Sequence, residues 1–468
     1  MLNSEFRKLC SYLDKILLNF VESNSTLAYS KLHIIKNHPE FNKEYFPNKD
    51  KLIKSEIRES FIVGILKYLK NFFIESPNFY YKRKKSSKID VMIVSHLINL
   101  NHLNLRDDFY YGDIIKQLNS LNLNSRLILR NDTSLSSKKI FASLKKDKII
   151  LSKRTFIIRE TVYLFLALFE FFKFNFFIEK YQYKKKKINF FNLRSFGYII
   201  ANLRLNFQIN FLVKIFKPKF LFITFEGHGW ERLIIKNIKK RYNTKIIAYQ
   251  FSAITKHHYS LFRSLGESTN PDYIFTTGKY TYKKFLKNYS SKVDIIGSNK
   301  WKKIKPHKIK KSNKIILLLP EAYISESKNL LNFAIQISKL SKEFKFYLRL
   351  HPMINFKDLN IDLKKYKNIE LSNCKIVDDF KRCSNFIFRG SASAIEAAAH
   401  GLNPIYFGKS NIANVNPLFE VLKEENYITD PKKFVKMFEK NKFNNNHIKN
   451  YSKNFFQKLK LNKNIFKI

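Results

Sequence analysis

Cysteine is nearly absent from this chain of 468 residues: Cys10, Cys374 and Cys383 are the only three, and no two form a CxxC pair. So sparse and odd a count excludes a disulfide framework and suits a reducing compartment. Acidic residues are scarce too, with 37 Asp and Glu against 87 Lys and Arg, a formal charge of +50. Long uncharged apolar runs are missing. The most membrane-like stretch, residues 155–180, is interrupted by Arg159, Glu160, Glu170 and Lys173. Its uncharged run from Thr161 to Phe169 falls far short of the ~20 residues that a spanning helix needs. Residues 1–20 carry carboxylates inside their apolar stretch and make a poor signal peptide. There is no DxD, HExxH, GxxxxGK[ST] or GxSxG. Their absence argues against metal-bound sugar-nucleotide chemistry of the DxD kind, zinc hydrolysis, P-loop phosphoryl transfer and serine hydrolases.

What is present is apolar and basic. At ~100–200 residues per domain the length predicts two or three domains, and a hydrophobic content of 45% allows sizeable cores. The positive charge is clustered at Lys82-Arg83-Lys84-Lys85, at Lys184–Lys187 and from Lys302 to Lys311. Such clusters attract acidic lipid or phosphorylated substrates; the abundance of Lys, Asn, Ile and Phe together also matches the drift of AT-rich coding DNA. No RNA-binding or zinc-finger pattern accompanies the charge, so no nucleic acid partner is expected. Residues 155–180 read as a helix, either on a membrane surface with Lys184–Lys187 against acidic headgroups or buried between domains.

Residues 1–87 read as helical, with Phe6, Leu9, Tyr12, Leu13, Ile16, Leu17 and Phe20 at helical spacing. From residue 88 short apolar strands alternate with helices of about 10–12 residues, the pattern of βαβ units and parallel sheets. Strands are predicted at KIDVMIVSHL, at SRLILRN and over 219–226, 244–252, 272–278 and 293–298, with a helix over 230–241. Residues 299–313, basic and aperiodic, read as a linker. A second series has strands over 314–320, 344–352, 368–373, 385–390 and 403–408, and helices over 327–341 and 393–400. The expected fold class is α/β: a helical region 1–87, a Rossmann-like domain 88–298, the linker 299–313, a second Rossmann-like domain 314–425 and a helical tail 426–468.

The stretch RGSASAIEAAAHG, Arg389 to Gly401, is the most informative. Gly390 lets a backbone approach a ligand closely. Ser393 and Glu396 fit an S-x-x-E capping box, and the helix start that follows is a natural phosphate site. An ordinary capped helix would look the same, but the carboxyl end of a parallel strand is where such sheets bind ligands. His351-Pro352 ends another predicted strand at the same edge, as a ligand contact or as a plain loop start. In the first half, TFEGHGWER places Glu226 at a strand end on a glycine turn, suited to take a proton from a hydroxyl, or simply to occupy the turn. His96 also ends a strand, and Asp107, Asp108 and Asp113 follow it, as site residues or as solvated loop acids.

In order, Phe225-Glu226-Gly227, His351-Pro352 and Ser391-Ala392-Ser393 resemble the motif set of sialyl- and polysialyltransferases: acid-acid-glycine, His-Pro, then a serine pair. Two departures are that Phe225 stands where the first acid is expected and that Ala392 splits the serines. The C-terminal half resembles the donor domain of GT-B glycosyltransferases of bacterial surface polysaccharide synthesis, and SHLINLNHLNLRDDFYYGDIIKQL resembles the start of surface-carbohydrate proteins. The resemblance covers roughly residues 88–425. It implies a GT-B fold and a sugar transfer in the cleft between two Rossmann-like domains. The donor would be a nucleotide-sugar, CMP-activated ones included, with no metal and no other cofactor. Glu226 would be the general base, and His351 would contact the donor phosphate and help the nucleotide leave. Pro352, Arg389, Gly390, Ser391 and Ser393 would line the donor site, and Glu396 would hold the ribose. His96, Asp107, Asp108, Asp113 and His228 would face the acceptor. That acceptor would be a growing, lipid-linked glycan of the capsule, O-antigen or lipopolysaccharide kind, which implies a cytoplasmic enzyme on the inner face of the cell membrane. Two alternatives stay open: a non-catalytic protein assisting polysaccharide assembly or export, and a sugar-nucleotide epimerase.

Overall fold

The computed structural model describes residues 70–466 apart from 72, 81–87, 105–106, 145–147, 179–181, 184–185, 188–192, 257, 263–264, 304–313, 409–413, 423–426, 440–445 and 462, together with positions 11, 15 and 18. The helical reading of residues 1–87 therefore falls largely outside the described residues. The same is true of Lys82–Lys85, Lys184, Lys185 and the linker beyond residue 303.

Fourteen of the strands make two sheets. The first holds β1 (Phe79–Tyr80), β2 (Val91–Leu97), β3 (Ser125–Asn131), β4 (Lys148–Leu151), β7 (Phe220–Thr224), β8 (Lys245–Gln250), β9 (Tyr273–Thr276) and β10 (Lys292–Ile295). Between them β5 (Gln182–Tyr183) and β6 (Lys186–Lys187) form a separate antiparallel hairpin. The order is β1-β4-β3-β2-β7-β8-β9-β10, parallel except for the edge strand β1. The second sheet holds β11 (Ile315–Leu319), β12 (Lys345–Leu348), β13 (Ile369–Leu371), β14 (Asn385–Phe388), β15 (Asn403–Phe407) and β16 (Tyr427–Ile428). Its order is β13-β12-β11-β14-β15-β16, all parallel. The expected class is what the chain adopts: α/β, with two Rossmann-like domains of the GT-B kind.

Side chains alternate along a strand, so a strand covered on both faces has to be apolar throughout. In β2, Met92 and Val94 join one core layer with Leu221, Ile223, Ile246 and Ala248, while Val91 and Ile93 join the other with Phe220, Phe222 and Ile247. Ile209 and Leu212 of the helix Leu193–Phe216 and Ile234 and Ile238 of the helix Gly229–Arg241 close the first layer. The second is closed by Ile114, Ile140, Leu459 and Leu461. The last two come from a segment that returns from beyond the second domain, and Phe466 on it packs against Phe220 and Phe222, with ring centroids at 5.2 and 6.3 Å.

Several elements depart from the sequence expectation. β4, only four residues long and set among lysines, is too short to read as an apolar run. The seven-residue helix Ile376–Arg382 is likewise too short to show a period. β12 stops at Leu348 rather than running to Pro352; the Arg349 N–H still donates to the Leu318 carbonyl, while its side chain donates to Asp379 and to the Cys374 carbonyl, both at 2.7 Å. The tail is not purely helical. β16 joins the second sheet, and only then come the helices Pro431–Glu439 and Asn446–Phe455. The second of these packs on the helix Ser393–His400 and on the helix Lys279–Asn288, and so ties the two domains together. Ion pairs Lys284–Glu420 and Lys300–Glu396, at 2.6 and 2.9 Å, span the same junction. Lys300 follows the carboxyl end of β10, and Glu396 lies in the first turn of the helix after β14, so the carboxyl edges of the two sheets meet there.

The strands stay parallel, but the direction in which successive strands are added to the sheet reverses between β2 and β7 in the first sheet and between β11 and β14 in the second. At such points the loops leaving neighbouring strands diverge and open a crevice.

Candidate functional site

The first crevice is a pocket of about 230 Å3 lined by His96, Tyr110, Arg130, Glu226, His228, Trp230 and Phe251. His96 comes from the end of β2 and Arg130 from β3. Glu226 and His228 come from the turn after β7, Trp230 from the first turn of the helix Gly229–Arg241, and Phe251 directly follows β8. That turn needs Gly227: its φ is +78°, and a Cβ there would sit 2.3 Å from the Ser260 carbonyl oxygen. It is pinned by Glu231, fully buried in the first turn of the next helix. The Glu231 carboxylate accepts from the backbone N–H of Glu226 at 3.0 Å and of His228 at 2.8 Å, so a buried acid fixes the backbone on both sides of Gly227. The Glu226 carboxylate is left 26% exposed and bonded through Oε2 to His228 Nε2 at 2.9 Å.

His96 is held at both ring nitrogens. Nδ1 lies 2.9 Å from Asp132 Oδ2 and Nε2 3.0 Å from Thr224 Oγ1, across the β2–β7 pair. With the Nδ1 proton directed at Asp132, Nε2 accepts from the Thr224 hydroxyl. Arg130 donates to the other Asp132 oxygen at 2.8 Å and lies over the Trp230 ring, 5.7 Å from its centroid. Burial works against the Asp132 carboxylate, but the bond from His96 and the Arg130 charge outweigh it and hold its pKa below the usual value. Burial lowers the His228 pKa, and the bond to Glu226 only partly offsets that. Burial first, and then repulsion from Glu226, push Glu231 well above the ordinary carboxylate range. With burial holding the His228 pKa down, its Nε2 faces Glu226 Oε2, and both side chains line the pocket.

The three aspartates grouped with His96 lie elsewhere. Asp107 pairs with Lys116 on the outside. Asp108 is half-buried and accepts from Ser95 Oγ and from the N–H groups of Tyr110 and Tyr111, so that it shapes the loop carrying Tyr110. Asp113 precedes the helix Ile114–Asn119 and accepts from Gln117. None of the three lines the pocket. Phe225, at the place of an expected acid, is fully buried beneath the guanidinium of Arg232, 5.1 Å from the ring centroid. A carboxylate there would be sealed from any substrate.

The second crevice is built differently. Gly390 lies beside the buried Glu321: a Cβ on it would come within 1.4 Å of Glu321 Oε1. Arg389 is only 7% exposed, and its Nε and Nη2 make no hydrogen bond among the described residues. Ser391 and Ser393 are half-buried. The helix Ser393–His400 begins at Ala392, without a side-chain cap, so the expected Ser393–Glu396 capping box does not form. Lys300 draws the Glu396 carboxylate away instead. Gly401 ends the helix as expected, at φ +99°. His351 is half-buried, its Nδ1 accepting from the Met353 N–H at 3.3 Å, and Pro352 is exposed.

Sequence reasoning passed over Tyr110, Arg130, Asp132, Trp230, Glu231, Phe251 and Glu321. Four of them were within reach: Arg130 and Asp132 close the strand SRLILRN, Phe251 closes the run KIIAYQ, and Glu321 follows LLLP, all at carboxyl ends of parallel strands. Among the described residues no cluster of His, Cys, Asp and Glu could hold a metal ion, and no helix is long and apolar enough to cross a membrane.

No protein-family model matches the chain. A Methanocaldococcus jannaschii protein, MJ1544, described as uncharacterized, is 27% identical over 130 residues, which are 26% of this chain and 28% of that one. The chain thus matches little more than a quarter of that relative's length. Among solved structures, UDP-GlcNAc 2-epimerase from Neisseria meningitidis bound to UDP-GlcNAc has a TM-score of 0.48 at 12% identity, covering 78% of this chain and 94% of its own. The glycotransferase of kitacinnamycin has 0.43 at 9%, covering 75% and 89%. Sucrose-phosphate synthase from Thermosynechococcus elongatus has 0.42 at 10%, covering 78% and 92%. What the residues of the two crevices can do follows from their own chemistry.

Proposed function

We propose that the protein is a glycosyltransferase that moves a sugar from a nucleotide-sugar donor to a hydroxyl of a growing, lipid-linked cell-surface glycan. The observation that carries this is the Glu226–His228 pair, 2.9 Å apart in an aromatic-walled pocket at one switch point. The buried, incompletely bonded Arg389 beside Gly390 at the other supports it. Trp230, Tyr110 and Phe251 offer apolar faces to a sugar ring. Glu226 takes the proton of the acceptor hydroxyl, and that oxygen forms a bond to the anomeric carbon of the donor. The carbon–oxygen bond to phosphate breaks, and its electron pair leaves on the phosphate oxygen. Arg389, the backbone at Gly390 and Ser391, and the start of the helix Ser393–His400 meet that charge, with His351 and Ser393 at its flank. Glu396 reaches a ribose only after Lys300 lets go. A glycan carried on lipid would put the enzyme on the inner face of the cell membrane.

A sugar-nucleotide epimerase is the second reading. It is favoured by two imidazoles, His96 and His228, lining the same pocket as the Glu226 carboxylate, since epimerisation needs a proton taken from one side of a carbon and returned on the other. The deciding experiment measures free nucleotide from CMP-, UDP- and GDP-sugars with and without a glycan acceptor, after thermal shift has identified the nucleotide that binds. Release that requires acceptor supports transfer. An epimerised sugar without acceptor supports the second reading, and stabilisation without turnover of either kind points to the non-catalytic role.

A further inference from the structure

The helix Ile157–Ile178 is amphipathic in the inverted sense. Its buried stripe is Glu160, Tyr163 and Ala167. Glu160 is locked by Arg204, with Nε to Oε1 at 2.7 Å and Nη2 to Oε2 at 2.8 Å, and also accepts from the Thr155 N–H and hydroxyl. A salt bridge thus seats the helix on the helix Leu193–Phe216, and the apolar residues turn outward: Ile157, Ile158, Val162, Leu164, Phe165 and Leu168 are 37–79% exposed. So large a contiguous apolar face on a chain rich in charge marks an interaction surface.

We infer that this face docks on the surface of an acidic lipid bilayer, the helix lying in the headgroup region. Charge selects the occupant. The helix is followed at once by the lysine run 184–187, whose Lys186 and Lys187 form β6, and the chain carries +50 overall. A second copy would bring two such charges together at low salt, whereas anionic headgroups attract them. The helix is too short of uncharged residues to span, but an apolar face of this kind inserts at the acyl boundary. The surface is separate from both crevices and does not depend on which reaction they perform.

The test is co-sedimentation of the full chain with vesicles of phosphatidylcholine alone and with phosphatidylglycerol added, over a range of salt. The expected result is binding to the acidic vesicles that falls as salt rises. An Ile158→Gln/Phe165→Gln double variant should partition roughly 10-fold more weakly or worse, and Phe165→Leu should bind as wild type. An unchanged thermal unfolding transition in the double variant shows that the fold survives. Binding by the double variant at the wild-type level, equal binding to both vesicle types, or no binding at low salt, as when residues 1–69 cover the face, would each overturn the inference. So would a lipid-free dimer in sedimentation that the double variant abolishes, which assigns the face to a second copy.

Discussion

The two switch points occupy equivalent places in two similar sheets, yet they are held by opposite means. At the first, every reactive group is tied to another: Asp132 to His96 to Thr224, and Glu231 to the turn that joins Glu226 to His228. At the second, a buried guanidinium has open donors, and a glycine leaves room for the buried Glu321 carboxylate. A proton-moving site needs tautomers and distances fixed in advance. A site for a charged ligand needs donors in waiting, and their desolvation is tolerable only because the ligand completes them. The contrast is the one that the proposed function requires: acid–base work at the first edge and anion binding at the second.

The most severe break is Glu226→Gln. Turnover should fall ~10²–10⁴-fold, while calorimetric nucleotide affinity stays the same, because the donor edge is in the other domain. Full activity in that variant, with loss in Asp107→Asn, Asp108→Asn or Asp113→Asn, would move the base into the loop after β2. Next comes Arg389→Met. Loss of charged hydrogen bonds to phosphate should weaken nucleotide binding ~10–100-fold, and the melting temperature should not drop, since a buried cation with open donors gives way to a neutral side chain. A lower melting temperature with unchanged affinity would make Arg389 a structural residue and erase the contrast. His351→Ala should cost about 10-fold in nucleotide affinity and slow turnover, with the melting transition kept because the side chain is half-exposed. A variant that cannot fold would contradict its place at the donor edge.

Asp108→Asn should have the smallest effect. Burial raises the Asp108 pKa, so the folded state holds that proton more tightly than the unfolded one. Stability is therefore lost as pH rises from the unfolded value near ~3.9 through the folded value. Asparagine keeps an acceptor for Ser95, Tyr110 and Tyr111 and carries no charge. Turnover should stay at the wild-type level, and the variant's melting temperature should gain on the wild type as pH rises toward neutrality. A pH-independent difference, or lost activity, would place Asp108 in the chemistry.

Much of this was legible in the sequence, and what was not has a physical pattern. Runs such as VMIVSHL and KIILLLP declare buried parallel strands because both faces are covered. Glu226, His228 and His96 were visible because each follows such a run. Thr224 and Glu231 stayed hidden because their role lies in pairing, and sequence spacing carries no trace that His96 meets Thr224 across two strands. The capping box failed for a related reason: Ser393 and Glu396 have the right local spacing, but Lys300, from the other domain, competes for the same carboxylate. Phe225 shows the converse, where the place of an expected acid belongs to the core.

The segment carrying Leu459, Leu461 and Phe466 sets an order of events at the ribosome. It completes a core layer of the first domain, yet it is synthesised only after the second domain has emerged. Through most of translation Phe220 and Phe222 wait without Phe466, and the first domain cannot seal that side. The two halves thus mature together, and a message cut short within the second domain yields a first domain with an open apolar flank, a natural target for chaperones and quality-control proteases.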